Sequence, residues 1–220
     1  MNTDPSEEEL RETAAQLARP HGENGLKMAE AMNEINRTMI QHTIELLDLR
    51  EGDTVLELGP GNADHVKDLF RRTPDLEYHA LEISETMLIE AQRRCASITG
   101  GKISISLYDG TTIPFPTDRF NRILTVNTIY FWQDPVKLLS EMKRVLVPGG
   151  KALITFGQKC SMEKLPFVKW GFKLYDDVAI NALAQKAGFE TPVITAQFDR
   201  IVTPDGESFD REFAIAVLTK

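Results

Sequence analysis

The chain has 220 residues, 42% of them hydrophobic and 26% charged. That is enough for one domain with a sizeable core, with room for an appendage, and is ordinary for a globular protein. A formal net charge of -8 argues against general binding to nucleic acid or an anionic membrane, and no apolar stretch approaches the roughly 20 residues of a membrane span. Two cysteines, Cys95 and Cys160, make neither a disulfide framework nor a metal-ligand spacing, so no metal is expected. The polar, acidic N-terminus does not read as a signal peptide, and a reducing cytoplasm is the expected compartment.

Residues 1–12 are charged and expected to fray. The turn-rich stretch Arg19-Pro20-His21-Gly22-Glu23-Asn24-Gly25 follows. A helix is predicted from about Leu26 to Leu47, where Met28, Met32, Ile35, Met39 and Leu46 recur at helical spacing and read as a core-facing stripe. Thr54 to Leu58 is a short apolar run with β-branched members, as a buried strand requires. Gly59-Pro60-Gly61 breaks it, and a helix follows with Val66, Leu69 and Phe70 on one face and Asn62 or Asp64 as N-cap. Leu76 to Ile83 reads as a second strand ending in Glu82. Ser84 caps a helix with Met87, Ala91, Cys95 and Ile98 inward, and Gly100-Gly101 ends it. Ile103 to Tyr108 is a third strand closed by Asp109-Gly110, and an extended loop with two prolines leads to a fourth over Phe120 to Asn127.

Asp134-Pro135 starts the next helix as N-cap and first-turn proline, and Pro148-Gly149-Gly150 stops it ahead of a fifth strand, Lys151 to Phe156. Residues 157–175 form a loop or short helix carrying Phe167, Trp170, Phe172 and Tyr175. Asp176 caps a helix that runs to Ala187. Val193 to Phe198 and Phe213 to Leu218 read as strands. The segment between them contains Pro204-Asp205-Gly206 and shows no helical period, so the two are expected to be antiparallel neighbours. Five strands alternating with helices imply parallel pairing through right-handed crossovers.

The strand and glycine turn of residues 53–63, with the helix that follows, form a nucleotide-binding corner. Without Cβ atoms, Gly59 and Gly61 let a ligand approach the backbone, and the helix start offers unpaired N–H groups. A tight strand-to-helix turn with no ligand is the bland alternative.

In order and spacing the chain resembles the class I S-adenosylmethionine-dependent methyltransferases, among them the type found in ubiquinone and menaquinone biosynthesis. Glu57-Leu58-Gly59-Pro60-Gly61-Asn62-Ala63 is similar to the family's E-x-G-x-G-x-G, with Ala63 where a third glycine is usual. Leu81-Glu82-Ile83-Ser84-Glu85-Thr86-Met87-Leu88 resembles its acidic second-strand end, Asp109-Gly110 its third-strand end, and Val145-Leu146-Val147-Pro148-Gly149-Gly150 its lead-in to strand five. The resemblance implies a Rossmann-like three-layer α/β/α sandwich, with a seven-stranded, mostly parallel sheet and an antiparallel last strand. It implies an N-terminal helical cap or lid over residues 1–50, hinged at Gly22 and Gly25, before a methyltransferase domain over residues 51–220.

By the same resemblance, Glu82 would hold the ribose hydroxyls, Ile83 and Met87 would pack on the adenine, and Asp109 with Gly110 would face its amino group. Gly59, Pro60, Gly61 and Asn127 would sit near the methionine moiety, Glu57 would orient the glycine loop through its N–H groups, and His65 could reach the cofactor's carboxylate. The implied reaction is methyl transfer from S-adenosylmethionine to a small molecule, leaving S-adenosylhomocysteine. Tyr130 and His21 are candidates for a base, Tyr130 also for an aromatic wall facing the acceptor. Partners are expected to be the acceptor alone, with no nucleic acid and no membrane span, in a monomer or homodimer. The alternatives are a catalytically inactive S-adenosylmethionine-binding protein and an NAD-dependent dehydrogenase, whose fingerprint wants glycine where this chain has Asp64.

Overall fold

The computed structural model describes residues 5–202 and 208–220. The Pro204-Asp205-Gly206 turn signal lies outside them. Strand β1 (Thr54–Leu58) is buried along its whole length, as a strand covered on both faces must be. Around it stand β2 (Glu77–Glu82), β3 (Lys102–Leu107), β4 (Phe120–Val126), β5 (Leu146–Gly157), β6 (Val193–Val202) and β7 (Ser208–Thr219). They form one sheet in the order β3-β2-β1-β4-β5-β7-β6. Pairing is parallel from β3 through β5. Strand β7 runs antiparallel to both β5 and β6, so the last strand is the reversed one, as expected.

The helices are α1 (Glu7–Ala18), α2 (Gly22–Ile35), α3 (Arg37–Leu46), α4 (Val66–Arg72), α5 (Glu85–Cys95), α6 (Pro135–Val145), α7 (Lys159–Met162) and α8 (Asp177–Lys186). Alternate strand residues feed opposite faces. Val55 and Leu124 pack with Met39 of α3, Val66 of α4 and Ala91 of α5. Leu56 and Ile123 pack with Leu139 of α6 and Ile180 of α8. The result is three layers, with the strand order reversing between β1 and β4. Open α/β sheets bind ligands outside the carboxyl ends of their strands at such a switch point.

Four local expectations are corrected. Residues 7–18 are helical rather than frayed, because Ser6 and Glu9 form a capping box. The single helix over Leu26 to Leu47 is two, broken at Asn36, whose side chain bonds to Asn127 and Arg211 instead of staying with the helix. Its methionine stripe divides: Met39 is core, whereas Leu46 is exposed. Neither Asn62 nor Asp64 caps α4, which starts at Val66 behind His65 with no side-chain cap. Ala63 is left-handed (φ +56°), which ends any helical path through residues 62–64.

Candidate active site at the switch point

The two glycines after β1 are required for different reasons. Gly59 has φ +71°, and a Cβ there would lie 2.6 Å from Thr128 Cγ2. Gly61 has φ +58°, and nothing lies within 4 Å of where its Cβ would be, so its backbone is open to a ligand. The Gly61 N–H donates to Glu82 Oε2 (3.1 Å), while Ile83 and Ser84 N–H donate to Glu82 Oε1 (2.8 and 2.9 Å). A carboxylate offers about four acceptor positions. Three are filled by amides, and the remaining one is on Oε2. Burial raises the Glu82 pKa, the amides of Ser84, Ile83 and Gly61 pull it down, and Glu57 raises it further, for a net rise.

Glu57 does not hold the glycine loop. Its Oε2 accepts from the Tyr78 hydroxyl (2.6 Å) and contacts His65 Nε2 (2.9 Å), because the loop amide of Gly61 points to Glu82 instead. Asn62 accepts from the Asp64 N–H through Oδ1 (3.3 Å). Its Nδ2 is buried with no partner among the described residues. Asp109 Oδ1 closes a turn by accepting from Thr111 and Thr112 N–H (both 2.7 Å). The Thr112 and Thr111 amides hold its carboxyl below the usual range.

Glu57, Gly59, Pro60, Gly61, Glu82, Ile83, Met87, Asp109, Gly110, Asn127 and Tyr130 all border one cavity of about 760 Å³, within the range of small-molecule sites. Its far end is apolar. Phe131 and Phe172 stack edge to face at 4.6 Å, with Tyr130 and Phe167 against Phe172. Met28, Met32 and Ile35 of α2 line it as well, so three of the five residues of the supposed core stripe are cavity wall. His21 does not border the cavity; its ring faces Gln16 and the Arg19 carbonyl. Trp170 is also elsewhere, between Arg11 and Lys169.

Tyr130 is fully engaged. Its hydroxyl donates to Asn127 Oδ1 (2.9 Å) and accepts from the Gly157 N–H (2.5 Å), and burial pushes its pKa far above the ordinary phenol range. Asn127 in turn donates to Asn36 Oδ1 (2.9 Å), which also accepts from Arg211 Nη1 (3.3 Å). Arg211 forks onto Asp199 (3.1 and 2.6 Å) and donates to the Ile35 carbonyl (2.9 Å). Asn36, Asn127 and Arg211 border the same cavity as the aromatic wall. Sequence reading missed Asn36 and Arg211; an asparagine inside a helical run was the one signal for the first, and Arg211 lies in a segment with no distinguishing pattern.

Residues 55–150 match the family described as a methyltransferase domain. Over 122 residues the chain is 34% identical to the uncharacterized methyltransferase YdaC of Bacillus subtilis, covering 54% of this chain and 65% of that protein. It is 30% identical over 122 residues to the ubiquinone/menaquinone biosynthesis C-methyltransferase UbiE of Geobacter sulfurreducens, covering 54% of this chain and 48% of that one. The chain thus spans less than two thirds of the length of these curated relatives. A chain in the complex between the Haloferax volcanii Trm112 methyltransferase activator and a methyltransferase matches with a TM-score of 0.74 at 17% identity, over 92% of this chain and 96% of that one; the likeness is one of fold. The strand order around the glycine corner agrees with the match, and residues 55–150 carry a methyltransferase domain.

Proposed function

We propose that the chain binds S-adenosylmethionine and transfers its methyl group to a small, flat or apolar acceptor, acting in the cytoplasm as a monomer or homodimer. The observation that carries this reading is Glu82: a carboxylate buried to 4% exposure, braced by three amides and keeping an acceptor position beside an open glycine turn. The residues fit the cofactor. Asn62 Nδ2 has no partner among the described residues and suits a carboxylate, and the space over Gly61 admits a ligand against the backbone.

Glu82 would accept a ribose hydroxyl, Ile83 and Met87 would flank the adenine, and Asp109 Oδ2 would face its amino group. The cofactor's sulfonium supplies a reactive methyl group. The chain's task is to hold the acceptor in line, about 3 Å from that methyl, and to keep water out. With its hydroxyl tied to Asn127 and Gly157, Tyr130 serves as wall and positioning residue and keeps its proton. Residues 1–50 act as a cap over residues 51–220. Its closure is supported by Met28 and Met32 lining the cavity and by the Gly22 N–H donating to Thr86 (3.2 Å). Hydrogen exchange should slow over residues 15–35 when S-adenosylhomocysteine binds; unchanged exchange there, with protection elsewhere, would remove the lid.

Incubation with methyl-labelled S-adenosylmethionine and a metabolite pool tests turnover. Label in an organic-extractable small molecule is expected. Cofactor binding with no label transferred to any metabolite class identifies a binding protein instead.

A further inference from the structure

Glu57, His65 and Tyr78 form a cluster that methyl transfer itself does not use. Glu57 and His65 border the cavity, while Tyr78 lies fully buried behind them. Glu57 Oε2 receives both the Tyr78 hydroxyl and the His65 ring, which leaves Oε1 for a donor from the cavity. Charged and titratable neighbours come from every packed element. Asp64 and Asp68 flank His65 in sequence, and Asp64 is held by Lys67 and by Arg94 of α5. Tyr78 and Glu82 stand on β2, and Cys95 on α5.

Of these groups His65 has the ordinary pKa nearest neutrality, and Glu82 is also raised, chiefly by burial. Burial and Glu57 push Tyr78 well above its usual range and Cys95 up to about 11. Burial pulls His65 down, but Glu57, 2.9 Å away, with Asp64 and Asp68 behind it, more than offsets this, and the net shift is upward. In the free protein His65 therefore keeps its proton to higher pH than an ordinary histidine does.

We infer that His65 is a proton-linked positioning residue for the cofactor's amino-acid end: Glu57 receives the α-ammonium only as His65 gives up its proton. The inference rests on the reading that the chain binds S-adenosylmethionine. With His65 charged, the pair with Glu57 is neutral, and an arriving ammonium meets a like charge at the same carboxylate. With His65 neutral, its Nε2–H still donates to Oε2, and Oε1 keeps a full negative charge for the ammonium. Bound ammonium disfavours the imidazolium and lowers the His65 pKa. The sign follows by linkage: between the lower bound pKa and the higher free pKa, binding expels a proton. Affinity then rises with pH, by up to about tenfold per unit for one proton.

The test is titration calorimetry of S-adenosylhomocysteine between pH 6 and 8, in phosphate and in Tris, whose ionisation enthalpies differ. Histidine ring resonances are followed alongside and assigned with His65→Gln. Expected are release of up to one proton, a His65 pKa that falls on binding, and buffer-independent heats in His65→Gln, which still binds because glutamine keeps a donor for Glu57. Binding with no buffer dependence, proton uptake, or wild-type release from His65→Gln would each overturn the inference while leaving cofactor binding intact. Failure of the wild type to bind at any pH would overturn the cofactor reading itself.

Discussion

The two ends of the cavity are built by different means. At the cofactor end, polar groups come from the tips of β1, β2 and β3 and from the turns just after them. Glu82 and Asp109 are fixed by backbone amides, while Glu57 is held by the Tyr78 and His65 side chains. At the apolar end, the wall is assembled from α2, the turn after β4, the segment after β5 and the arm of β7. It is held by side chains bonding to one another, from Tyr130 through Asn127 and Asn36 to Arg211. A main-chain site is specified by a few glycines and one acid. A side-chain site needs agreement among distant segments.

If that division is right, damage at one end should leave the other working. The largest effect is expected from Glu82→Ala, which removes a buried charge-assisted acceptor. S-adenosylhomocysteine affinity should fall by about 2–4 kcal/mol in calorimetry, with the fold retained. Gly59→Ala should come next, at roughly 2–3 kcal/mol of stability, from left-handed strain and the contact with Thr128. Thermal unfolding should show Thr128→Ser partly rescuing it, because that change removes the Cγ2 in the way; no rescue would mean that strain alone sets the cost. The smallest is Tyr130→Phe, which leaves the Gly157 N–H and Asn127 Oδ1 short of a partner and should cost about 1–3 kcal/mol of stability with cofactor affinity unchanged. Tyr130→Ala should raise the acceptor KM as well. A Tyr130 variant that weakens cofactor binding as much as Glu82→Ala would dissolve the distinction between the two ends.

The same division explains how much could be read in advance. The cofactor end was legible because each part is local: an apolar run, two glycines, a strand-end acid, and Ser84 capping α5 by accepting from Met87 N–H. So was the sheet, whose parallel order follows from strands alternating with helices. Glu57 was misassigned because the pairing of β1 with β2 brings Tyr78 to it and the turn into α4 brings His65. The apolar end was legible only as aromatic composition. Spacing cannot tell that Phe172 meets Phe131 while Trp170 turns to Arg11. Nor can it tell that a methionine stripe divides at Asn36 into cavity wall and core, since both surfaces are apolar and share one period.

The central claim is that the polar end is an S-adenosylmethionine site, and one titration tests it most directly. S-adenosylhomocysteine and NAD are titrated separately into the protein and into its Glu82→Ala variant. The account predicts a micromolar Kd for S-adenosylhomocysteine, roughly 8 kcal/mol, largely lost in Glu82→Ala, and no heat from NAD. Tighter binding of NAD, or S-adenosylhomocysteine binding that survives Glu82→Ala undiminished, would contradict it.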